Sequence, residues 1–315
     1  MSLALASLGG ESMGTTWRVH MAVPHRADLR AHHLRIEGVL DTVVAEMSTW
    51  AVDADITRFN RADAGTTHTL PEGFRQVLTC ALEIAAASQG AFDPTLGELV
   101  GIWGFGANAC RPQDIGQPQA VKAAQTRYGW QQVQLTGNQL FQPGGLRLDL
   151  SAIAKGYAAD AISDALCAQG IGDALVEVGG ELRARGCKPD GSAWRIAIED
   201  ATPSDEVTTR VIALNAQGVA TSGDRWHYND IQDWRVTHTI DPRSASPVTC
   251  QPMSVTVLAS SAMRADAWAT ALRVLGPVEG MAMAEQHALA ARFHWLDAGV
   301  AHEVMTAAFQ PHLVQ

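Results

Sequence analysis

The sequence predicts an α+β fold of mixed or antiparallel sheets with flanking helices, and three observations carry that expectation. Strand-like and helix-like stretches interleave without the regular βαβ spacing of a doubly wound sheet. Neither G-x-G-x-x-G after a strand nor a Walker A string is present, so the Rossmann and P-loop scaffolds are excluded. A chain of 315 residues with 47% hydrophobic content can bury a large core, and no repeat, low-complexity tract or linker divides it. One domain over 1–315, as a single body or two intertwined lobes, is the expected organisation, with 1–12 read as a leader remnant or an added start.

In order along the chain, Trp17, Val19, Met21 and Val23 alternate with more polar neighbours as in a half-buried strand. Leu29, His33, Ile36, Leu40, Val43, Val44 and Met47 then recur at helical intervals and face a core. A second helix is expected from Pro71 through Phe74, Val77, Leu78, Ala81 and Ala85 to Gly90, with proline inside the start and glycine past the end. Residues 96–117 are Gly-rich and weakly periodic, which predicts a long loop with short turns. A helix over Pro118–Tyr128 and a hairpin around Thr136-Gly-Asn138 follow. Leu146 to Leu150 alternates like a strand and gives way to a helix that runs to about Gln169, stopped by Gly170. The remainder reads mostly as strands, at Ala174–Val178, Glu181–Arg185, Trp194–Glu199, Val207–Leu214, Trp234–Ile240 and Met253–Ala259, with a last helix over Ala262–Leu275.

A net charge of −10 without clustered Lys or Arg argues against a nucleic-acid partner. The same charge disfavours a diffusing anionic ligand, a problem that a bound divalent metal would solve locally. Five cysteines, at 80, 110, 167, 187 and 250, form no C-x-x-C or zinc spacing and read as buried thiols. The longest apolar runs fall far short of the roughly 20 residues that span a bilayer, and no charged-then-apolar export segment opens the chain.

The corner at Asp149-Leu-Ser-Ala-Ile-Ala-Lys-Gly-Tyr157 organises the chemistry. A strand-to-helix corner leaves backbone N–H groups without intrahelical partners, and Asp149 and Lys155 add one charge of each sign, so the corner can hold a phosphate ester. Equally, Ser151 can simply cap the helix and Lys155 be solvated. Asp266 and Thr270 stand four apart on one helical face, either as a surface pair or as oxygen ligands of the kind magnesium accepts. His238 precedes a turn at Pro242; a histidine there is either structural or a group able to take and return a proton near neutrality. Asp241 can orient that ring or start the turn. Gly90-Ala-Phe-Asp93 is either a helix terminator with a core phenylalanine or a ligand-facing loop, and Trp50 is either core or the cover of a ring system. Val178-Gly-Gly180 and Thr221-Ser-Gly-Asp224 are glycine-bearing strand ends that approach a ligand or merely turn.

Taken as an ordered set, MGTTW (13–17), STW (48–50), GAFDPT (90–95), DLSAIAKGYAAD (149–160), VEVGGELRARG (176–186), VATSGD (219–224), THTIDPR (237–243) and ADAWAT (265–270) resemble the ApbE family of FAD:protein FMN transferases. The resemblance implies a two-lobed fold with a flavin site between the lobes, and an enzyme that moves the FMN unit of FAD onto a Thr or Ser hydroxyl of an acceptor protein with release of AMP. It implies Mg²⁺ held by Asp266, Thr270 and the backbone carbonyl of Ala152. The flavin site would be lined by Met13, Trp50, Ala91, Phe92, Asp93, Asp149, Lys155 and Thr239, and His238 would be the general base. The acceptor would carry a Ser/Thr-Gly-Ala-Ser/Thr segment. Family members are often exported lipoproteins, which implies a periplasmic or membrane-anchored enzyme, whereas no export signal opens the sequence, which leaves the cytoplasm open as well.

The chain departs from the family pattern in three places. Lys155 stands where some members have Glu, so that an ammonium rather than a metal-bridged carboxylate would meet phosphate. Ala269 stands where some have a second Asp, which disfavours a two-metal site and vigorous hydrolysis of FAD to FMN and AMP. The THTIDPR string continues into Ser-Ala-Ser-Pro247 without the glycine often found there. The alternatives to transfer are a metal-dependent FAD pyrophosphatase and a non-catalytic FAD-binding protein.

Overall fold

The structure, a computed structural model, describes residues 3–198, 200, 210–223, 228–231, 234–248 and 253–314. Strands β1 (Leu3–Ser12) and β2 (Thr15–Pro24) form a hairpin. Its two-residue turn, Met13-Gly14, takes positive φ at both positions, the geometry that matches strand twist. The stretch read from the sequence as a leader remnant therefore supplies a fully paired strand. Helices α1 (Leu29–Met47) and α2 (Asp55–Asn60) follow, then β3 (Thr67–Thr69) and α3 (Glu72–Ala87). The expected 96–117 loop contains a short helix, α4 (Gly97–Ile102), and α5 spans Pro118–Ala124, shorter than expected because Gln125–Tyr128 turns away toward the hairpin of β4 (Gln134–Thr136) and β5 (Gln139–Phe141).

Leu146–Leu150 is extended and buries all three leucines, as its alternation predicts, but it is no strand of a sheet. One parallel bridge joins Arg147 to Leu96. Side-chain amides complete the hydrogen bonding. Asn60 donates to the Leu148 carbonyl and accepts from the Leu148 N–H, and buried Gln142 does the same for Leu146. Two amides thus serve one edge of the segment, while the Arg147 carbonyl and the Asp149 N–H bond to the main chain of Gly97 and Pro94.

Beyond the corner come α6 (Ala154–Ala168), β6 (Ala174–Val178), β7 (Glu181–Arg185), β8 (Trp194–Ile198), β9 (Arg210–Leu214) and β10 (Gly218–Gly223). Then follow β11 (Tyr228–Ile231), β12 (Trp234–Thr237), β13 (Ile240–Asp241), β14 (Ser246–Pro247), β15 (Met253–Ala259), α7 (Ala262–Gln286), β16 (Ala290–Asp297) and β17 (Val300–Met305). Of the strands expected over Trp194–Glu199 and Val207–Leu214, residues 199 and 207–209 lie outside the described ones. The run expected over Trp234–Ile240 breaks at His238-Thr239 between β12 and β13. Helix α7 continues past the expected Leu275 because it resumes after a kink at Gly276-Pro277, where Gly276 has φ +76.

Eight strands make one sheet in the order β1-β2-β6-β7-β10-β15-β16-β17, and every neighbouring pair in it is antiparallel. Helices α6 and α7 lie on this sheet, and α1 and α3 cover them. One large apolar core runs through these layers, from Trp17 and Val19 through Leu40, Phe74, Leu148 and Ala159 to Trp268 and Phe293. A second cluster seats the β8–β9 hairpin, and a third gathers Leu96, Leu99, Trp103, Val236, Ile240 and Ala245. Cys80 is buried and Cys110, Cys167 and Cys187 are partly so, all as free thiols, while Cys250 lies outside the described residues.

Helices α6 and α7 meet at backbone distance. A side chain at Gly156 would put its Cβ 2.4 Å from the Ala262 carbonyl oxygen. Asp160, one turn on, accepts from the N–H groups of Ala262 and Met263, both at 2.9 Å, and so caps α7 from a neighbouring helix. Gly156→Ala is expected to destabilise the protein by about 1–3 kcal/mol, because the obstructing atoms are backbone and cannot turn aside. A denaturation midpoint unchanged from the parent protein would refute that tight contact.

Candidate functional site

A cavity of about 480 Å³ opens where the large core meets the third cluster. Its floor comes from the corner and from α7. Asp149 bends the corner by accepting the N–H of Ser151 at 2.9 Å, and it also takes the Ser151 hydroxyl. Ser151 is therefore a partner of Asp149 and not the cap of α6. That role falls to Asp266, whose Oδ2 accepts the Gly156 N–H at 3.1 Å from across the helix pair. Asp266 is buried, and Thr270, one turn along α7, lines the same cavity with Ala152.

Lys155, on the first turn of α6, extends over Gly179 in the β6–β7 turn, where an added Cβ would lie 3.1 Å from Lys155 Cδ. Its ammonium donates to Glu181 Oε1 at 2.7 Å. Glu181 is 4% exposed, and its Oε2 is buried with no hydrogen-bond partner among the described residues. Burial pushes the Glu181 carboxyl up, against the pull of Lys155, and burial raises Asp266 in the same way. Lys155 loses to burial but gains more from Glu181 and Asp266, so its ammonium is held charged. Two buried carboxylates share one cation, and the floor is short of positive charge.

His238 and Thr239 form the opposite wall with Ile240, in the gap between β12 and β13. Phe105 meets the His238 ring edge to face, with ring centres 6.4 Å apart. The segment behind them is fastened by Trp103 Nε1–H to the Ala245 carbonyl at 3.0 Å and by the Tyr128 hydroxyl to the Pro242 carbonyl at 2.6 Å. Asp241 serves the turn, accepting the Arg243 N–H at 2.9 Å and its guanidinium. Ala245 adopts φ +57 at the turn that the sequence leaves without glycine. Thr239 Oγ1 is buried without a hydrogen-bond partner among the described residues.

The rim holds Trp50, 75% exposed and hence no core residue. Ala91 and Phe92 are buried and also line the cavity, so that Phe92 belongs to the core and borders the cavity at once. Asp93 also lines it, with its carboxylate engaged by Thr95 and by the Trp130 N–H at 3.0 Å. The cavity therefore brings together eleven of the twelve sequence-derived residues: Trp50, Ala91, Phe92, Asp93, Asp149, Ala152, Lys155, His238, Thr239, Asp266 and Thr270. Met13 is not among the lining residues. It sits at the β1–β2 turn, just before Thr15, which packs on Gly179. Ala269 is buried in the core.

Sequence reasoning passed over Glu181 and Phe105 as lining residues, whereas Thr221 and Ser222, in the glycine-bearing strand end left open between a turn and a ligand approach, do line the cavity. Glu181 had a signal. A two-residue Gly179-Gly180 turn pairs Val178 with Glu181, which sets a carboxylate on the face where Val176 and Val178 are buried. Among the described residues, no group of three or more His, Cys, Asp or Glu could hold a metal ion.

The chain matches the family model of the ApbE family over residues 13–293. It is 36% identical over 288 residues to a protein named FAD:protein FMN transferase from Klebsiella pneumoniae, covering 90% of this chain and 82% of the relative. A protein of the same name from Vibrio cholerae is 37% identical over 286 residues, covering 88% and 84%. Among solved structures, the flavinyl transferase ApbE of Pseudomonas stutzeri, in its apo form, superposes with a TM-score of 0.90 at 35% identity, over 99% of this chain and 98% of that one.

Thr239→Val is expected to stabilise the ligand-free protein by up to about 1 kcal/mol, since an isosteric methyl removes a buried hydroxyl that has no partner among the described residues. A lowered thermal midpoint without ligand would mean that the hydroxyl is already bonded.

Proposed function

The chain belongs to the ApbE family, and on that footing we propose that it transfers the FMN unit of FAD to a Thr or Ser hydroxyl of an acceptor protein, releasing AMP. The observation that carries this reading is the gathering of Asp266, Lys155, Asp149 and His238 around one cavity, with carboxylates and ammonium on one wall and imidazole on the other.

A divalent cation suits the floor. Two buried carboxylates with one ammonium, bonded to Glu181, leave room for positive charge, and Glu181 Oε2, without a partner among the described residues, is a further mark of that shortage. Asp266, the Thr270 hydroxyl and the Ala152 carbonyl are the residues that would hold Mg²⁺. One carboxylate with two neutral oxygens is a sparse set, of the kind magnesium accepts when waters and phosphate oxygens complete its shell. Bound there, the ion would supply Lewis-acid stabilisation of the charge that builds on the diphosphate.

This chain's own residues do the rest. The acceptor oxygen attacks the phosphorus of the FMN half, the bond from that phosphorus to the bridging oxygen breaks, and AMP departs with the electron pair. His238 takes the proton from the acceptor hydroxyl, a step worth about 10²–10⁴-fold. Lys155 sets an ammonium on the phosphate side, while exposed Trp50 offers a face on which the flavin ring can stack. The acceptor reaches the cavity as an extended segment, of Ser/Thr-Gly-Ala-Ser/Thr type by family resemblance.

Incubation with FAD, Mg²⁺ and an acceptor bearing that motif is expected to give a covalently fluorescent acceptor band. Rapid release of AMP and free FMN with no labelled acceptor would instead identify a pyrophosphatase. His238→Ala is expected to lower the rate of transfer by about 10²–10⁴-fold while FAD affinity stays within about threefold. Loss of FAD binding in equal measure would reassign His238 to the binding of the ligand.

A further inference from the structure

We propose that Glu181 is a positioning residue that holds the Lys155 ammonium away from Asp266 and so keeps that carboxylate open to the divalent cation. The inference rests on the reading of the site given above and adds to it a residue outside the expected ligand set.

Three contacts carry it. Lys155 begins one residue before Gly156, whose N–H is bonded to Asp266, so the root of the lysine lies beside the carboxylate. Its stem crosses Gly179, where any Cβ would crowd Lys155 Cδ and the Thr15 side chain. The far end of that path is Glu181, buried opposite Val178 at the start of β7, which receives the ammonium at 2.7 Å. A lysine carries its charge on a long, flexible stem, and in a desolvated pocket an ammonium deprived of one carboxylate pairs with the next. Asp266 is the next one, since its carboxylate is bonded at 3.1 Å to the N–H of the residue that follows Lys155 and lines the same cavity. With Glu181 neutral, the ammonium would become an internal competitor for the cation.

Binding of Mn²⁺ to the full chain at saturating FAD, followed by loss of the free-ion paramagnetic resonance signal, tests the inference without reference to turnover. Glu181→Gln is expected to raise the half-saturating Mn²⁺ concentration at least about tenfold, and adding Lys155→Met is expected to return it to within about threefold of the parent value. An unchanged single variant, or a double variant as weak as the single, overturns the clamp, because a merely structural glutamate would not be rescued by removing the lysine. If Glu181→Gln fails to fold by circular dichroism, Lys155→Met alone decides: Mn²⁺ binding as tight as the parent's or tighter upholds the clamp, and weaker binding overturns it. A parent chain that takes up no Mn²⁺ at all would defeat the cation reading of the site, and the clamp with it, whereas normal parent binding with an unmoved Glu181→Gln defeats only the clamp.

Discussion

The site depends on two helices meeting at backbone distance. Gly156 leaves no space between α6 and α7, and the two helices exchange caps across that contact: Asp160 of α6 takes the first N–H groups of α7, and Asp266 of α7 takes an N–H at the start of α6. Helix ends buried without partners are costly, so each helix satisfies the other's unpaired groups. The exchange fixes both the spacing and the rotation of the pair. It also forces a carboxylate into the interior beside the first turn of α6, where Lys155 already is. The charged floor of the cavity is thus a consequence of how two helices are capped.

Electrostatics at that floor explain why a chain of net charge −10 can serve an anionic ligand. Surface charges more than about 8 Å away are screened at physiological salt, whereas the Asp266, Lys155 and Glu181 groups face one another where screening is weak. Burial works against both carboxylates, and one ammonium offsets only part of that cost. Such an arrangement favours any partner that brings positive charge, and a cation accompanied by phosphate oxygens brings it without leaving the site strongly positive.

Much of this was legible in the sequence because it is encoded locally. The strands at 174–178, 181–185 and 253–259 follow from alternation and from the glycines between them, and the corner helix from its apolar spacing and Gly170. The residues of the cavity were legible only as an ordered series of motifs, since Trp50, Asp93 and His238 have no distinguishing pattern of their own. What escaped notice has a common cause. Leu146–Leu150 looks like a sheet strand because burial alternates, yet Leu146 and Leu148 bond to the amides of Gln142 and Asn60, partners that periodicity does not encode. Phe105 reaches the cavity through tertiary packing alone, while Thr221 and Ser222 lie on a glycine-bearing strand end that the sequence leaves open between a turn and a ligand approach. Glu181 differs from these, because a two-residue glycine turn fixes its register and exposes a charged residue in a buried phase.

The two walls of the cavity belong to different packing units, and that division bears on function. Asp266, Lys155 and Glu181 are anchored in the large core and the main sheet, where neighbouring elements hold them from several sides. His238 and Thr239 sit instead on a two-residue break in a strand, backed by the small third cluster and pinned by hydrogen bonds from Trp103 and Tyr128 to the main chain. Phosphate placement asks for a rigid seat, since a displacement of about 1 Å at the reacting atoms costs orders of magnitude in rate. On the reading proposed above, a base that takes a proton from the hydroxyl of an incoming polypeptide is better carried on a wall that is fastened at a few points, where the acceptor can enter. On the proposed reading, the arrangement separates the group that would hold the small ligand from the group that would meet the acceptor, by building them on different parts of the core.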